Sequence, residues 1–293
     1  MCVTVRVVTD STADLPEEVV AELGITVVPL HIHFGEETYE DGVSITKDEF
    51  YRRLTTGPIL PKTSAPAAGT FTEAYERLAT ETDEIISLHI SSKLSATYSS
   101  ALLGKKSVGA PCNIGVVDTY SASIGLGLLA VRAAQQARAG ADLDTITKDI
   151  ESTLPRTKFF GAVDTLEYLH KGGRIGMATA LLGSLLKVKP ILGLRDGVAH
   201  PIERVRGGRQ KAFDRLCEMV AGYGAISNLA IAHTTAEEEL ERLAARLSQF
   251  FPADRILKSR CGATLGTYLG PNTLCLAVIQ EETDKRPAKR GKK

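Results

Sequence analysis

The first half of the chain alternates short apolar, β-branched runs with stretches of helical periodicity. Residues 3–9 read as a strand, followed by Asp10-Ser11-Thr12. A helix is expected to start near Asp14, with Pro16 in its first turn, Glu17 completing a capping box and Gly24 as its stop. Residues 25–34 predict one strand, Thr46-x-x-Glu49 opens a helix, and 58–66 is a proline-bounded loop. A helix over 70–79 precedes a strand at 84–90. Another helix covers 95–105, a strand 114–118, and a long Ala- and Leu-rich helix 124–139. Alternation at this spacing implies βαβ units and a largely parallel sheet.

The second half changes character. A short strand at 158–163 and a short helix at 165–170 end at Gly172-Gly173. Segments 191–195 and 198–205 flank Asp196-Gly197, a strong two-residue hairpin signal. A helix (209–223), a strand (228–233), a helix (236–247) and strands at 255–260 and 273–279 follow. The expected architecture is α/β with two domains, divided near Leu154-Pro155. Residues 3–155 carry the mostly parallel sheet and 156–282 a mixed α+β sheet. Residues 283–293 form a basic, disordered tail.

Composition narrows the function classes. Hydrophobic residues make up 43% and charged residues 24% of the 293, which places the chain among ordinary globular proteins. The formal charge is zero, yet residues 285–293 hold six basic and no acidic side chains. The remainder carries 29 basic and 35 acidic residues, which excludes a uniformly basic nucleic-acid-binding body. The five cysteines are scattered without a CxxC pair, as suits a reduced cytoplasmic protein without a cysteine-based zinc site. No stretch reaches the roughly 18–20 apolar residues that span a bilayer.

Hydroxyl-rich turns recur after the first-half strands: Ser11-Thr12, Ser91-Ser92 and Thr119 with Ser121 and Ser123, while Thr63-Ser64 precedes a helix. In open α/β sheets ligands bind beyond the carboxyl ends of the strands, so these turns are expected to converge on a site. Any one of them alone reads equally as a helix cap. A pocket of neutral hydroxyls suits holding an anion better than reacting with one. An enzyme using Ser95, His89 and Asp118 as nucleophile, base and acid is the rival reading. No GxSxG, HExxH, Walker A or GxGxxG pattern is present. Leu169–Gly176 (LHKGGRIG) reads either as a backbone N–H cradle for an oxyanion, with Lys171 and Arg174 as its charges, or as a helix C-cap. Residues 178–186 (ATALLGSLL) suit a core helix or the wall of an apolar tunnel, and Arg204, Arg206, Arg209 and Lys211 form a basic cluster.

Seven motifs in order carry a resemblance: DSTADLP from Asp10, KTSAPA from Lys62, HISSKLSATYSSA from His89, VDTYSASIGLG from Val117, LEYLHKGGRIG from Leu166, KVKPIL from Lys187 and GPNTL from Gly270. Over residues 3–280 the chain resembles the DegV family of bacterial fatty-acid-binding proteins. The resemblance implies a two-domain α/β fold with one long-chain fatty acid in a tunnel between the domains. It implies no catalytic machinery, no metal, and no cofactor beyond the bound acid. The acyl carboxylate is expected on Thr63 and Ser95, with Ser64, Ser92 and Thr97 as neighbours. The implied partner is a fatty acid kinase that makes acyl phosphate for phospholipid synthesis. Arg174 and Arg206 are its expected docking residues, and a membrane surface is a further, transient partner considered. The chain departs from the family pattern at Tyr268, where many relatives have His, and in TSAPA, which lacks the Gln and second Ser of TSQPS.

Overall fold

The computed structural model describes residues 5–182 and 188–282. The strands are β1 (Val5–Asp10), β2 (Thr26–Val28), β3 (His31–Phe34), β4 (Glu37–Glu40), β5 (Lys62–Ser64), β6 (Glu84–His89), β7 (Asn113–Asp118), β8 (Thr157–Ala162), β9 (Val188–Arg195), β10 (Val198–Arg206), β11 (Ile226–His233), β12 (Ile256–Arg260) and β13 (Leu274–Gln280). The α-helices are α1 (Glu17–Leu23), α2 (Lys47–Thr56), α3 (Ala68–Ala79), α4 (Thr97–Lys106), α5 (Ile124–Arg138), α6 (Leu143–Thr153), α7 (Glu167–Lys171), α8 (Gly208–Ala221), α9 (Glu237–Leu247) and α10 (Ala263–Leu269).

Three sheets result. The first, in order β2-β1-β6-β7, is wholly parallel. The second, β10-β9-β8-β13-β11-β12, is mixed, with β11 and β12 its parallel pair. The third is a small antiparallel sheet, β4-β3-β5. The fold is therefore α/β, with a parallel sheet in the first half and a mixed one in the second, as expected. At the β9–β10 turn both central residues have positive φ, Asp196 at 50° and Gly197 at 77°. That is the geometry Asp-Gly favours, because it matches the twist of the flanking strands.

The mixed sheet is apolar on both faces, which explains the unbroken LCLAVI run of β13. Leu274, Leu276 and Val278 pack with Leu229, Ile231 and the buried faces of α8 and α9. Cys275, Ala277 and Ile279 turn the other way, toward α5 and the parallel sheet. The largest core runs without a break from Val5, Val7, Ile86 and Leu88 through α5 to Ala230, Ala232 and Ala277. Ten buried residues on α5 make this possible, many of them Ala, Gly or Leu that let a helix lie close between two sheets.

Three expectations are corrected. The segment 25–34 is two strands in two different sheets, since Pro29 interrupts β pairing between β2 and β3. Residues 62–64, taken as loop, form β5 and pair with His31–His33. The helix expected from Asp14 begins at Glu17 with Pro16 as its cap. Asp14 sits instead in the left-handed region, φ 50°, with its carboxylate turned inward. The sequence reading also passed over α6, whose start Asp142 caps by accepting from the Thr145 amide at 2.8 Å. Within 178–186, a 3₁₀ turn covers Gly176–Leu181, and residues 183–186, Lys187 and the tail 283–293 lie outside the described residues.

Helices α3 and α4 matter to the site because α3 follows Ser64 closely and α4 begins two residues after Ser95. They pack at Gly104, where a Cβ would lie 2.6 Å from Phe71 Cβ and 2.7 Å from the Ala68 carbonyl oxygen. Gly104→Ala is expected to force the helices apart and cost about 1–3 kcal/mol, read as a lowered urea midpoint. An unchanged midpoint contradicts this packing.

Candidate functional site

A cavity lies beyond the carboxyl ends of the parallel strands and is closed on its other side by the mixed sheet. Leu30 follows β2, Ile90, Leu94 and Ser95 follow β6, and Ala122 follows β7; all line it. Thr63, Ser64 and Ala65 enter from β5 and its exit. From the opposite side come Phe159 and Gly161 of β8 with Val163 beyond it, and Leu192 and Leu194 of β9. Helix α10 supplies Thr264, Leu265, Tyr268 and Leu269. The empty space is about 1010 Å³ including its mouth, of which about 180 Å³ admits the centre of a water molecule. That is more than ten times what one water needs, and the walls are chiefly aliphatic.

Part of this cavity's lining is polar. The Thr63 hydroxyl and the Tyr268 hydroxyl are 2.6 Å apart, joining β5 to α10 across 205 residues. Ser95 Oγ lies 2.8 Å from Thr97 Oγ1 and accepts from the Thr97 amide at 3.3 Å, so the turn into α4 orients it. Arg174 lines the same space and lies across the Tyr268 ring, 5.2 Å from its centroid. Its Nε donates to the Leu94 carbonyl at 3.2 Å, linking the second half of the chain to the β6 turn. Thr63, Ser64, Ser95, Tyr268 and Arg174 are thus brought together around one cavity.

The other candidates sit elsewhere. Thr97 is fully buried behind Ser95, and Ser92 lies on an outer groove beside Lys93, its amide donating to Asp118 at 3.1 Å. Arg206 is exposed at the end of β10, away from the cavity lining. Gly172 caps α7 and Lys171 pairs with Glu167 at 2.6 Å, so the cap reading of KGGR holds for these two residues. Arg209, counted in the basic cluster, is paired with Glu239.

The rival arrangement of Ser95, His89 and Asp118 is not assembled. His89 is fully buried, with Nδ1 2.9 Å from Asp10 Oδ2 and Nε2 2.7 Å from Ser87 Oγ, which in turn meets the Tyr75 hydroxyl. Its side chain leaves β6 on the face that α3 covers, where it packs edge-on against Phe71. Asp118 accepts from the amides of Ser92 and Tyr120, as a turn-closing residue does. Among the described residues, no group of three or more His, Cys, Asp or Glu side chains is placed to hold a metal.

The reading of the sequence missed what places α10. Asp41 accepts from the amides of Ala263 and Thr264 at 2.9 and 3.1 Å, and Asp14 accepts from the Gly262 amide at 2.7 Å. Asp14 also accepts from Ser123 at 2.6 Å, and both residues have positive φ. A non-glycine residue held there carries backbone strain that the surrounding contacts must offset. Cys261, behind this junction, is kept a thiol by its hydrogen bond with Cys275 and by burial. Burial also raises Asp14 from 3.8 to about 7, against the lowering effect of the Ser123 and Gly262 hydrogen bonds.

The consequence for stability has a definite sign. Between about pH 4 and 7 the folded chain holds a proton on Asp14 that the unfolded chain has released. The contribution is full below about pH 4 and is lost as pH rises through 7. Asp14→Asn is expected to flatten the fall in urea midpoint between pH 5 and pH 8 by an amount worth a few kcal/mol. An unaltered slope contradicts this placement of the carboxyl.

Comparison with known proteins agrees with this fold. The family profile described as "Uncharacterised protein, DegV family" matches residues 4–281. A DegV domain-containing protein of Streptomyces coelicolor is 39% identical over 279 residues, covering 94% of this chain and 98% of its own. A solved DegV family protein from Thermus thermophilus, described for its fatty acid binding, superposes with a TM-score of 0.88 at 33% identity, over 95% of this chain and 100% of that one. DegV of Bacillus subtilis, described as a fatty acid binding protein, gives 0.87 at 34% identity, over 95% and 99%. Matched along nearly its whole length in both sequence and fold, the chain belongs to the DegV family.

Proposed function

We propose that this protein binds one long-chain fatty acid, with its carboxylate on Thr63 and Ser95 and its tail in the cavity between the two lobes, residues 3–155 and 156–282. The observation that carries the reading is a chiefly aliphatic cavity whose lining includes Thr63, Ser95 and Tyr268 together with Arg174. Ser64 also lines the cavity, with its Oγ 2.9 Å from His33 Nε2, while the Ser92 amide on Asp118 and the Thr97 hydroxyl on Ser95 support the turn that presents Ser95. The fatty acid binding described for the Thermus and Bacillus relatives supports the same ligand class here.

The energetics fit a carrier. Each buried CH₂ contributes about 0.8 kcal/mol, so a 16-carbon tail offers roughly 12 kcal/mol gross. Association and ordering cost about 4–15 kcal/mol, which leaves the complex reversible. Each hydroxyl that donates to the carboxylate adds about 1.5–3 kcal/mol and sets the ligand's direction. Ser95 is hydrogen-bonded to Thr97, and His89, the nearest histidine in sequence, is committed to Asp10 and Ser87, so the cup is built to hold a carboxylate.

In this reading the acid is offered to a separate fatty acid kinase, which phosphorylates the carboxyl group for phospholipid synthesis in the cytoplasm. Arg174 at the mouth and Arg206 on β10, both exposed, serve as the docking charges. A membrane surface is a further, transient partner in this reading. No helix among the described residues is long and apolar enough to cross a membrane.

The test is Thr63→Ala combined with Ser95→Ala. Loss of two charge-assisted hydrogen bonds is expected to weaken fatty-acid binding at least 10-fold, with the circular dichroism spectrum unchanged. Mass spectrometry of solvent-extracted protein should then find long-chain acid on the parent and little on the variant. Equal lipid on both overturns the proposed carboxylate site.

A further inference from the structure

An outer groove adjoins the acyl cavity and shares part of its wall: Leu94, Ser95, Ala96, Arg174 and Ala199 line both. The groove measures about 680 Å³ including its open side, of which about 360 Å³ admits the centre of a water molecule. That is twice the corresponding 180 Å³ of the acyl cavity. One water needs roughly 10–15 Å³ on this measure, so the groove has room for a polar group of many atoms. A fatty acid ends at its carboxylate, and one bound through Thr63 and Ser95 leaves this space to solvent.

The groove has the chemistry of an anion site. Ser92 and Lys93 line it from the turn after β6, and Arg174 lines it from the turn after α7. None of the residues lining it is acidic. Lys93 is exposed, and its ammonium has no hydrogen-bond or ion-pair partner among the described residues. Its stem runs beside the β9–β10 turn, where a Cβ on Gly197 would lie 3.3 Å from Lys93 Cγ. Arg174 donates from Nε to the Leu94 carbonyl at 3.2 Å and from Nη1 to the Gly172 carbonyl at 2.9 Å. Both partners are neutral, and the donors on Nη2 stay open. Asp118 is committed to the Ser92 and Tyr120 amides and does not line the groove. Two cations without a counter-charge on one groove favour a dianion there, and a phosphate monoester carries about −1.5 to −2.

The two spaces are close enough for one ligand. Ser95 lines both, and Lys93 stands two residues before it, so their Cα atoms are at most about 7 Å apart. The glycerol of a monoacyl glycerophosphate bridges a comparable distance between its ester carbonyl and its phosphate. The hydroxyls of Thr63, Ser95 and Tyr268 are neutral donors, and an ester carbonyl accepts from such groups as a carboxylate does, only more weakly.

We infer that the site takes a second class of ligand, a lysophosphatidate, with its acyl chain in the cavity, its ester carbonyl among these hydroxyls and its phosphate in the groove on Lys93 and Arg174. This rests on the reading of the cavity as an acyl-chain site. The dianionic monoester matches the two cations, whereas a phosphodiester head group brings a single negative charge.

The full chain, stripped of lipid, is titrated by displacement of a fluorescent fatty acid, below the concentrations at which the competing lipids form micelles. The competitors are palmitic acid, 1-palmitoylglycerol and 1-palmitoyl-lysophosphatidate, the last two differing only in the phosphate. The parent is expected to bind the lysophosphatidate about 10-fold more tightly than 1-palmitoylglycerol. Lys93→Met, which keeps an unbranched stem and removes the charge, should lose most of that preference while its affinity for palmitic acid stays that of the parent. Lys93→Arg should retain the preference. Equal affinity of the parent for the two glycerol lipids overturns the inference, and so does a preference undiminished in Lys93→Met; palmitic acid that still binds then leaves the fatty-acid site standing. Failure of palmitic acid alone to bind overturns the fatty-acid reading, and failure of all three overturns both.

Discussion

Asp14 and Asp41, from the first half of the chain, receive the backbone N–H groups of Gly262, Ala263 and Thr264, and through them hold α10. The cavity depends on this junction. α10 carries Thr264, Leu265, Tyr268 and Leu269 into the wall, and its last turn brings the Tyr268 hydroxyl to Thr63. Two buried carboxyl groups are costly to desolvate; amide donors and the Ser11 and Ser123 hydroxyls surround them, and Asp14 keeps its proton up to about pH 7. Tyr51 adds a bond from α2 to the Cys261 carbonyl on the same junction. The polar cup is therefore assembled from both halves of the chain, although neither half contains it.

The apolar side of the site follows from how the sheets are filled. α5 packs between the parallel sheet and the small-residue face of β11 and β13, and it closes the core there. Beyond the start of α5, where the parallel strands end, no helix among the described residues fills the gap between the β6 turn and the face of β8 and β9. Phe159, Val163, Leu192 and Leu194 line what remains. A gap of this size walled by aliphatic side chains forgoes dispersion contacts that a filled core would make. An aliphatic ligand restores them, so occupancy and stability are coupled.

Much of this was legible in the sequence. Strand and helix alternation indicated the parallel sheet and Asp196-Gly197 the hairpin, and the motifs contain Thr63, Ser95 and Arg174, which the structure brings with Tyr268 to the lining of one cavity. The errors have local causes. Asp14 carries the signature of a helix start, yet its side chain answers a long-range demand from Gly262, 248 residues away. β5 is three residues long between prolines and owes its strand character to pairing with His31–His33. Period-two patterning of Phe159, Gly161 and Val163 marks one face of β8, but periodicity cannot say whether that face meets a helix or an empty space.

The most direct measurement is a crystal structure of the full chain grown with palmitic acid. The account predicts continuous density for the acyl chain between Phe159, Leu192 and α10, with the carboxylate oxygens within hydrogen-bond distance of Thr63 Oγ1 and Ser95 Oγ. Density for the acid on the outer surface, or with its carboxylate at the apolar end and its methyl terminus at Thr63, contradicts it.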